Sequence, residues 1–136
     1  MQQSSIVTHG RHSNMNTQTT INRIYEYVEM VQGKQDAYWK LHNYKHSPSN
    51  EVDVTLGRRY AKVILKGREW GPQQTPMTLN KHKSVHSFID MNTGDILKAA
   101  GWSAPAPNGV RGNIFSYDCG ASVVGHNGAN YKYNYA

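Results

Sequence analysis

The chain of 136 residues is poor in the residues that build covalent frameworks and large apolar cores. Its one cysteine, Cys119, forms no internal disulfide and offers no cysteine-based zinc site, which fits a reducing cytosol. With only two phenylalanines, the core must draw on Val, Ile, Leu and nine tyrosines, whose hydroxyls need partners when buried. No apolar run is long enough for a membrane span or a signal-peptide core, so we expect a soluble protein without a membrane partner.

Acidic residues are also scarce. Nine Asp and Glu stand against fifteen Lys and Arg, which gives a net charge of +6. This excess favours polyanionic partners such as nucleic acid, whose phosphates attract Lys and Arg. Because many small basic proteins bind nothing acidic, the charge indicates a tendency and not an activity.

An apolar stripe at helical spacing predicts a helix in the N-terminal half. Its members are Ile21, Ile24, Val28 and Val31. Thr19 or Thr20 is the expected N-cap and Gly33 the expected C-cap. Residues 34–46 predict a second helix, or an extension of the first across Gly33. One face of it would carry Ala37, Tyr38, Leu41 and Tyr44. We favour core packing for that face over base stacking, although aromatic and basic residues alternate there, with Trp39 the least explained by a core role.

Alternation of apolar and polar residues predicts strands after the break at Ser47–Asn50. Residues 52–56 and 60–66 form the first two strands, and residues 67–83 form a long loop. In the second strand, Tyr60, Lys62, Ile64 and Lys66 share a face that we interpret as solvated rather than as a nucleic-acid surface. Residues 110–115 add a last short strand or a turn.

The strongest fold signal is an antiparallel hairpin at 84–100, closed by a turn that contains Asn92 and Gly94. Alternation places Val85, Ser87 and Ile89 on one face and His86 and Phe88 on the other. The predicted fold class is therefore α+β, with an N-terminal helix or helix pair packed on a small antiparallel sheet of about 4–5 strands. We divide the chain into a flexible arm at 1–19, a single domain at 20–117 and a Gly-, Asn- and Tyr-rich tail at 118–136.

The segments SVHSFID, TGDILKAAGWSAPA and GVRGNIF, between Ser84 and Phe115, resemble a group of small uncharacterised proteins of tailed bacteriophages. Those proteins share a segment of the form SVHxFVD…TGDVYKAASWKAPAKxxRGNIFD. This chain departs from it at Gly101, Ser103 and Pro107, and so lacks two of its lysines. The resemblance implies a phage-encoded protein, located in the cytoplasm of an infected bacterium or in the virion. It implies no reaction.

No motif joins the candidate catalytic groups, which are Cys119, His86 and Asp90 or Asp95. A lone cysteine is typical of a small buried hydrophobe, and a hairpin aspartate of turn chemistry. His42 and His46 are four residues apart but lack the HExxH context of a zinc site. We therefore expect no enzyme, no metal and no cofactor.

A nucleic-acid-binding accessory protein is the leading hypothesis, with single-stranded DNA or RNA as partner. The candidate binding residues are Trp102, Arg111, Lys98, Trp70, Arg68, Lys81 and Lys83. The tryptophans would stack on bases while the cations contact phosphates. The hairpin is explained by its role in the scaffold, so we expect the loop from Trp102 to Arg111 to be the contact region. The alternative is a protein-binding module, either a virion component or an inhibitor of a host or defence protein, and self-association is a further partner class.

Overall fold

One helix is followed by five strands along the chain. The computed structural model describes residues 17–130. Helix α1 spans Thr17–Leu41, and the strands are β1 (Glu51–Leu56), β2 (Tyr60–Trp70), β3 (Pro76–Asp90), β4 (Asp95–Ala99) and β5 (Pro105–Asn113). The strands form one antiparallel sheet in the order β1-β2-β3-β4-β5. The predicted α+β class is confirmed.

Helix α1 is continuous across Gly33. The predicted C-cap at Gly33 is wrong, and the alternative of one extended helix is confirmed. Gly33 lies on the exposed side of the helix, and no atom lies within 4 Å of the position that a Cβ would take. The helix already begins at Thr17, so a cap at Thr19 or Thr20 is also wrong; Thr20 is fully buried inside the first turns.

The buried face of α1 is displaced from the apolar stripe in the sequence. Its buried residues are Thr20, Ile24, Tyr27, Val31 and Gln35. Two of these five are polar and one is a tyrosine, which is why apolar periodicity pointed to a neighbouring face. Beyond Gly33 the expected core face does not form: Leu41 is 80% exposed, and Ala37 and Tyr44 are also exposed.

The core lies between α1, one face of the sheet and the segment 114–130. The sheet contributes buried Val52, Ala61, Val63, Leu65, Ile89 and Ile96. The last described segment contributes buried Ile114, Cys119, Val124 and Ala129. Residues 118–130 therefore pack in the core, where we expected a tail; residues 131–136 and the arm residues 1–16 lie outside the described part of the chain.

Strands β2 and β3 form a hairpin that continues well beyond the rest of the sheet. The loop predicted at 67–83 is wrong, because β2 runs to Trp70 and β3 starts at Pro76, joined by a short 3-10 turn at Pro72–Gln74. Lys66 pairs with Lys83 but Arg68 pairs with Thr78, so residues 79–82 bulge opposite Gly67. A Cβ on Gly67 would lie 2.9 Å from the Cβ of His82, so the bulge needs a glycine there.

A second irregularity turns His86 towards the helix. Val63 pairs with Ser87 and Ile64 with Val85, which leaves His86 as the extra residue of a β-bulge. Both predicted groupings are therefore wrong. Val85 lies on the face of Ile64 and Phe88 rather than with Ser87 and Ile89, and His86 contacts Tyr27 of the helix edge-to-face at 6.2 Å. The hairpin predicted at 84–100 is confirmed as β3 and β4, and Gly94 has the positive φ (80°) that its turn requires.

The face of the sheet opposite α1, called here the helix-free face, is not simply solvated. Ile64, Phe88 and Leu97 are all buried on it, at 6%, 2% and 9% exposure. The interpretation of the second strand's basic row as a solvated face is therefore wrong for Ile64. Within residues 17–130, α1 lacks the continuous apolar stretch that a membrane-spanning helix requires.

Candidate nucleic-acid interface

The structure does not bring the seven candidate residues into one site. Trp70 and Arg68 lie near the end of β2, Trp102 and Lys83 lie on the helix-free face, and Lys98 and Arg111 contact the segment 129–130. Lys81 is exposed within the bulge at 79–82, outside both concave surfaces described below.

Lys98 and Arg111 hold the end of the described chain on the sheet. The Nζ of Lys98 lies 3.4 Å from the carbonyl oxygen of Ala129. Arg111 donates from Nε to the carbonyl of Asn130 at 2.8 Å and from Nη1 to that of Asn108 at 2.8 Å. These bonds to backbone carbonyls give both side chains a part in packing. The predicted loop from Trp102 to Arg111 is wrong from Pro105 onward, because Arg111 lies in β5; of its two candidate residues, only Trp102 remains exposed outside a strand.

A concave surface of about 400 Å³ lies between the end of α1, the connection that follows it and the β2–β3 hairpin. We call it the Trp39–Trp70 cleft. Its lining residues are Trp39, Lys40, Asn43, Tyr44, Lys45, Ser47, Pro48, Ser49, Arg68, Trp70 and Pro76. Three of them are cations and none is a carboxylate, so the cleft suits an anionic ligand.

Both indoles of the cleft are fixed by the chain that connects α1 to β1. Trp39 donates from Nε1 to the carbonyl of Ser47, and Trp70 donates from Nε1 to the carbonyl of Lys45, each at 3.0 Å. Trp70 is 38% exposed. Since both N–H groups are already bonded, what remains for a ligand is aromatic surface, which is the part of an indole that stacks on bases.

Arg68 is oriented at the same end of the sheet. Its Nε donates to the carbonyl of Ser49 at 2.7 Å and its Nη2 to the Ser49 hydroxyl at 3.2 Å. That hydroxyl donates in turn to Asp36 of α1. Nη1 of Arg68 has no partner within residues 17–130, so it remains available to a phosphate oxygen.

Trp39, Lys40 and Lys45 were missing from the candidate set, although the sequence carried a signal for them. Aromatic and basic residues alternate through 38–46, a pattern that fits stacking and phosphate contact. We favoured a core role for the aromatic face of this segment, because an aromatic stripe at helical spacing is more often buried, and so did not select these three residues. Exposure of the last helical turn removes that reason.

Beside the cleft, the rings of two histidines contact Tyr38, one of them stacked on it. The ring of His126 lies 3.6 Å from that of Tyr38 at an interplanar angle of 12°, and the ring of His42 lies 4.0 Å away at 33°. Burial, followed by the nearby His42, lowers the pKa of His126. No group of three or more His, Cys, Asp or Glu within residues 17–130 is placed to hold a metal ion.

A second concave surface, of about 380 Å³, lies on the helix-free face. We call it the Trp102 pocket. It is lined by Lys83, Ser84, Val85, Ala99, Ala100, Gly101 and Trp102. Trp102 is 48% exposed, and the Nζ of Lys62 lies 4.2 Å from its ring centroid in a cation–π contact. This pocket has one cation in its lining, against three in the cleft.

The groups considered for catalysis are dispersed. Cys119 is buried, and burial raises the pKa of its thiol. His86 is buried; its Nε2 donates to the carbonyl of Gly125, and its Nδ1 is hydrogen-bonded to the Ser87 hydroxyl. Asp90 accepts the backbone N–H of Asn92 in the hairpin turn. These groups have separate structural partners and share no concave surface of the two described.

A protein-family model described as a family of unknown function (DUF7717) matches residues 8–136. The match includes both the cleft and the pocket. No curated protein and no solved structure matches the chain.

Proposed function

The chain belongs to the DUF7717 family, and we propose that it is a small basic accessory protein that binds single-stranded nucleic acid, without catalysis, in the Trp39–Trp70 cleft. The observation that carries this proposal is the composition of the cleft: two fixed indoles among three cations and no carboxylate. Single-strand binders combine these two features, because aromatic rings stack on any base and cations follow the phosphates.

The fixed indoles favour stacking for an entropic reason. A free tryptophan must lose side-chain freedom when a base orders it, whereas Trp39 and Trp70 are already held through their Nε1 atoms. Their partners, the carbonyls of Ser47 and Lys45, belong to one short connection, so the two rings keep a constant relation to each other. Stacking of one base on such a ring is worth about 1–3 kcal/mol.

The cations supply the sequence-independent part of the affinity. Arg68 presents a free Nη1, and Lys40 and Lys45 are exposed at the rim. If all three contact phosphates, log K should fall with log salt with a slope of about −2 on single strands. That slope corresponds to a loss of about 20-fold in affinity between roughly 50 and 200 mM salt.

The proposed setting follows from the resemblance of residues 84–115 to proteins of tailed phages. The protein would act in the cytoplasm of an infected bacterium, on single-stranded DNA or RNA formed during infection, or be part of the virion. Net charge of +6 supports a polyanionic partner in either place.

The test is the anisotropy of labelled oligo(dT) and oligo(U), about 16 nucleotides long, titrated with the protein over that salt range. Trp70→Ala should weaken binding about tenfold, whereas Trp70→Phe, which keeps a ring, should retain most of it. Lys45→Gln should make the salt slope shallower by about 0.7. Trp102→Ala is the matched control and should leave binding unchanged.

Two results would contradict the proposal at different levels. Failure of both oligonucleotides to bind, or binding that salt does not weaken, excludes nucleic acid as the partner. Binding that is lost in Trp102→Ala but kept in Trp70→Ala retains the function and moves it out of the cleft. Thermal unfolding of each variant, followed by circular dichroism, separates lost binding from lost fold.

A second function is favoured by a different observation. Strand β3 has an edge that β4 leaves uncovered, and uncovered strand edges pair with other chains. We therefore also propose a protein-binding role, as a virion component or as an inhibitor of a host or defence protein. It uses the Trp102 pocket and leaves the cleft free.

A further inference from the structure

Most of β3 has a neighbour on one side only. The strand runs over fifteen residues, Pro76–Asp90, yet β4 pairs with it at just two positions, Phe88 with Leu97 and Ile89 with Ile96. Beyond Leu97, β4 pairs within the described chain only on its other edge, where Ala99 lies opposite Pro105 of β5. Within residues 17–130, the edge of β3 that precedes Phe88 therefore has no strand beside it on the β4 side.

The Trp102 pocket is the space that opens where β4 departs from β3. One wall is the uncovered edge of β3 at residues 83–85, and the other is the end of β4 with the turn after it, residues 99–102. The second wall begins with Ala99, Ala100 and Gly101, and nothing lies within 4 Å of the Cβ position of Gly101. Small residues on one wall and a strand edge on the other leave room for a backbone to approach closely.

We propose that the Trp102 pocket receives an extended peptide from another protein, which adds to the edge of β3 at residues 83–85 as an extra strand. Strand addition of this kind takes its affinity from main-chain hydrogen bonds and its specificity from pockets for alternate side chains. The inference gives a site and a binding mode to the second proposed function, on which it rests, and does not depend on the cleft.

The side chains of the edge define which peptide fits. Lys83 pairs with Lys66, and Val85 pairs with Ile64, so both side chains point to the helix-free face, two positions apart. Both Lys83 and Val85 line the Trp102 pocket. The lining contains no carboxylate to neutralise Lys83, and it places Val85 and Trp102 in the same apolar surface. Directly opposed residues of neighbouring antiparallel strands contact each other. The peptide should therefore carry an acidic residue opposite Lys83 and an apolar residue opposite Val85, separated by one position.

Trp102 and Lys62, which are joined by a cation–π contact, give the pocket a wall with both an aromatic surface and a positive charge. Lys62 lies against the Trp102 ring, and Trp102 is half exposed. The ring offers area to the apolar residue of the peptide, while the two lysines, Lys62 and Lys83, favour its acidic residue. Charge complementarity therefore selects an acidic peptide over a basic one.

The first test uses the full chain alone. Hydrogen exchange followed by NMR should show rapid exchange for the amides of residues 83–85 that point away from β2. Slow exchange at those amides would overturn the inference, since the edge would then be covered by another part of this chain or by a second copy. Slow exchange at the amides bonded to β2 is the internal control.

The second test is selection of a displayed library of random peptides on the full chain, followed by NMR with the selected sequences. We expect an acidic and an apolar residue separated by one position, and peptide-induced shifts and new protection at residues 83–85. N-methylation of the alternate peptide amides that would face β3 should weaken binding about tenfold. No selected peptide, no effect of N-methylation, or shifts produced at residues 83–85 only by oligonucleotides would each overturn the inference.

A charge exchange identifies the register. Lys83→Glu should weaken binding of the acidic peptide. A peptide with lysine at the acidic position should regain about threefold in affinity for that variant. Lys45→Glu, in the cleft, is the matched control and should change neither affinity. If the peptides bind elsewhere on the protein, the proposed protein-binding function stands but this edge is excluded as its site. Failure of the inference can therefore be distinguished from failure of the proposed function.

Discussion

A buried histidine should make the protein unstable in mild acid. Tyr27 of α1, Ser87 and His86 of β3 and the carbonyl of Gly125 form a chain of hydrogen bonds of 2.7, 2.8 and 2.9 Å. The carbonyl of Gly125 can only accept, so Nε2 of His86 carries the proton and Nδ1 accepts from the Ser87 hydroxyl. Ser87 in turn accepts from Tyr27. This network holds one neutral tautomer of His86 and has no place for a second proton.

The size of the expected loss of stability follows from the shift in the pKa of His86. Burial lowers the pKa of His86 to about 4, against the raising effect of Gly125, and the charges of His126 and Lys34 lower it further. The unfolded chain binds the proton near its ordinary pKa of about 6.5. The unfolded state therefore holds more protons between these values, and stability falls as the pH falls. The loss from His86 is about 3 kcal/mol between pH ~7.5 and pH ~4.

The assay is urea unfolding across that range, with the free energy of unfolding plotted against pH. The pKa of Asp118 is lowered to about 2 and that of Asp53 is also lowered, so the stability that these two carboxylates contribute is lost mainly below the ordinary aspartate pKa of about 3.9, at and below the lower end of the range. His126, whose pKa is lowered too, adds a loss of the same sign.

His86→Gln is the variant that isolates the effect. Its amide can still donate to Gly125 and accept from Ser87, but it does not titrate. The difference in stability between the two proteins should therefore shrink as the pH falls from 7.5 to 4. A parallel pair of curves, or a His86 ring that NMR finds protonated at pH ~6, would refute the reasoning.

Three further predictions concern the helix and the segment that covers it. Gly33→Ala should raise the free energy of unfolding by about 1 kcal/mol, because the site is helical and its Cβ position is empty; a lower melting temperature would contradict this. Arg23→Ala should cost about 1–2 kcal/mol in chemical denaturation, since Arg23 donates to the carbonyls of Ile114 and Ser116; an unchanged midpoint would show those bonds to be inert. Cys119 should react with a maleimide only at the rate of unfolding, and immediate labelling of the native protein would contradict its burial.

The sequence predicted the elements with strong periodicity and failed where backbone irregularity decides. The helix, the strands at 52–56 and 60–66 and the hairpin all follow from apolar spacing. The bulge at His86 does not. One extra residue in a strand changes which face of the sheet the preceding residues occupy, but no pattern of apolar and polar residues marks its position. The helix crosses Gly33 because a glycine costs only about 1 kcal/mol there, while Lys34 and Gln35 both bond to the segment 121–126.

The candidate site was predictable in composition but not in location. Trp70 and Arg68 were identified, yet their connection to Trp39 depends on carbonyls of residues 45 and 47, which no pattern of side chains reveals. Lys98 and Arg111 were expected to contact a ligand because they are cations near an exposed loop. Their partners are backbone carbonyls of residues 129 and 130, in a segment without periodicity.

The contacts between α1 and the segment 114–130 also set an order of events during synthesis. Arg23, Lys34 and Gln35 reach carbonyls that lie 87 to 93 residues further along the chain. At about 5–20 residues per second, a ribosome needs roughly 5–20 s to add that length. During this interval Arg23, Lys34 and Gln35 lack the carbonyl groups that they bond in the finished protein. All five strands of the sheet have been synthesised before the segment 114–130 exists. A nascent chain that stalls before residue 126 should therefore expose the part of α1 that the segment 114–130 covers in the finished protein, and be recognised by chaperones or proteases as unfinished.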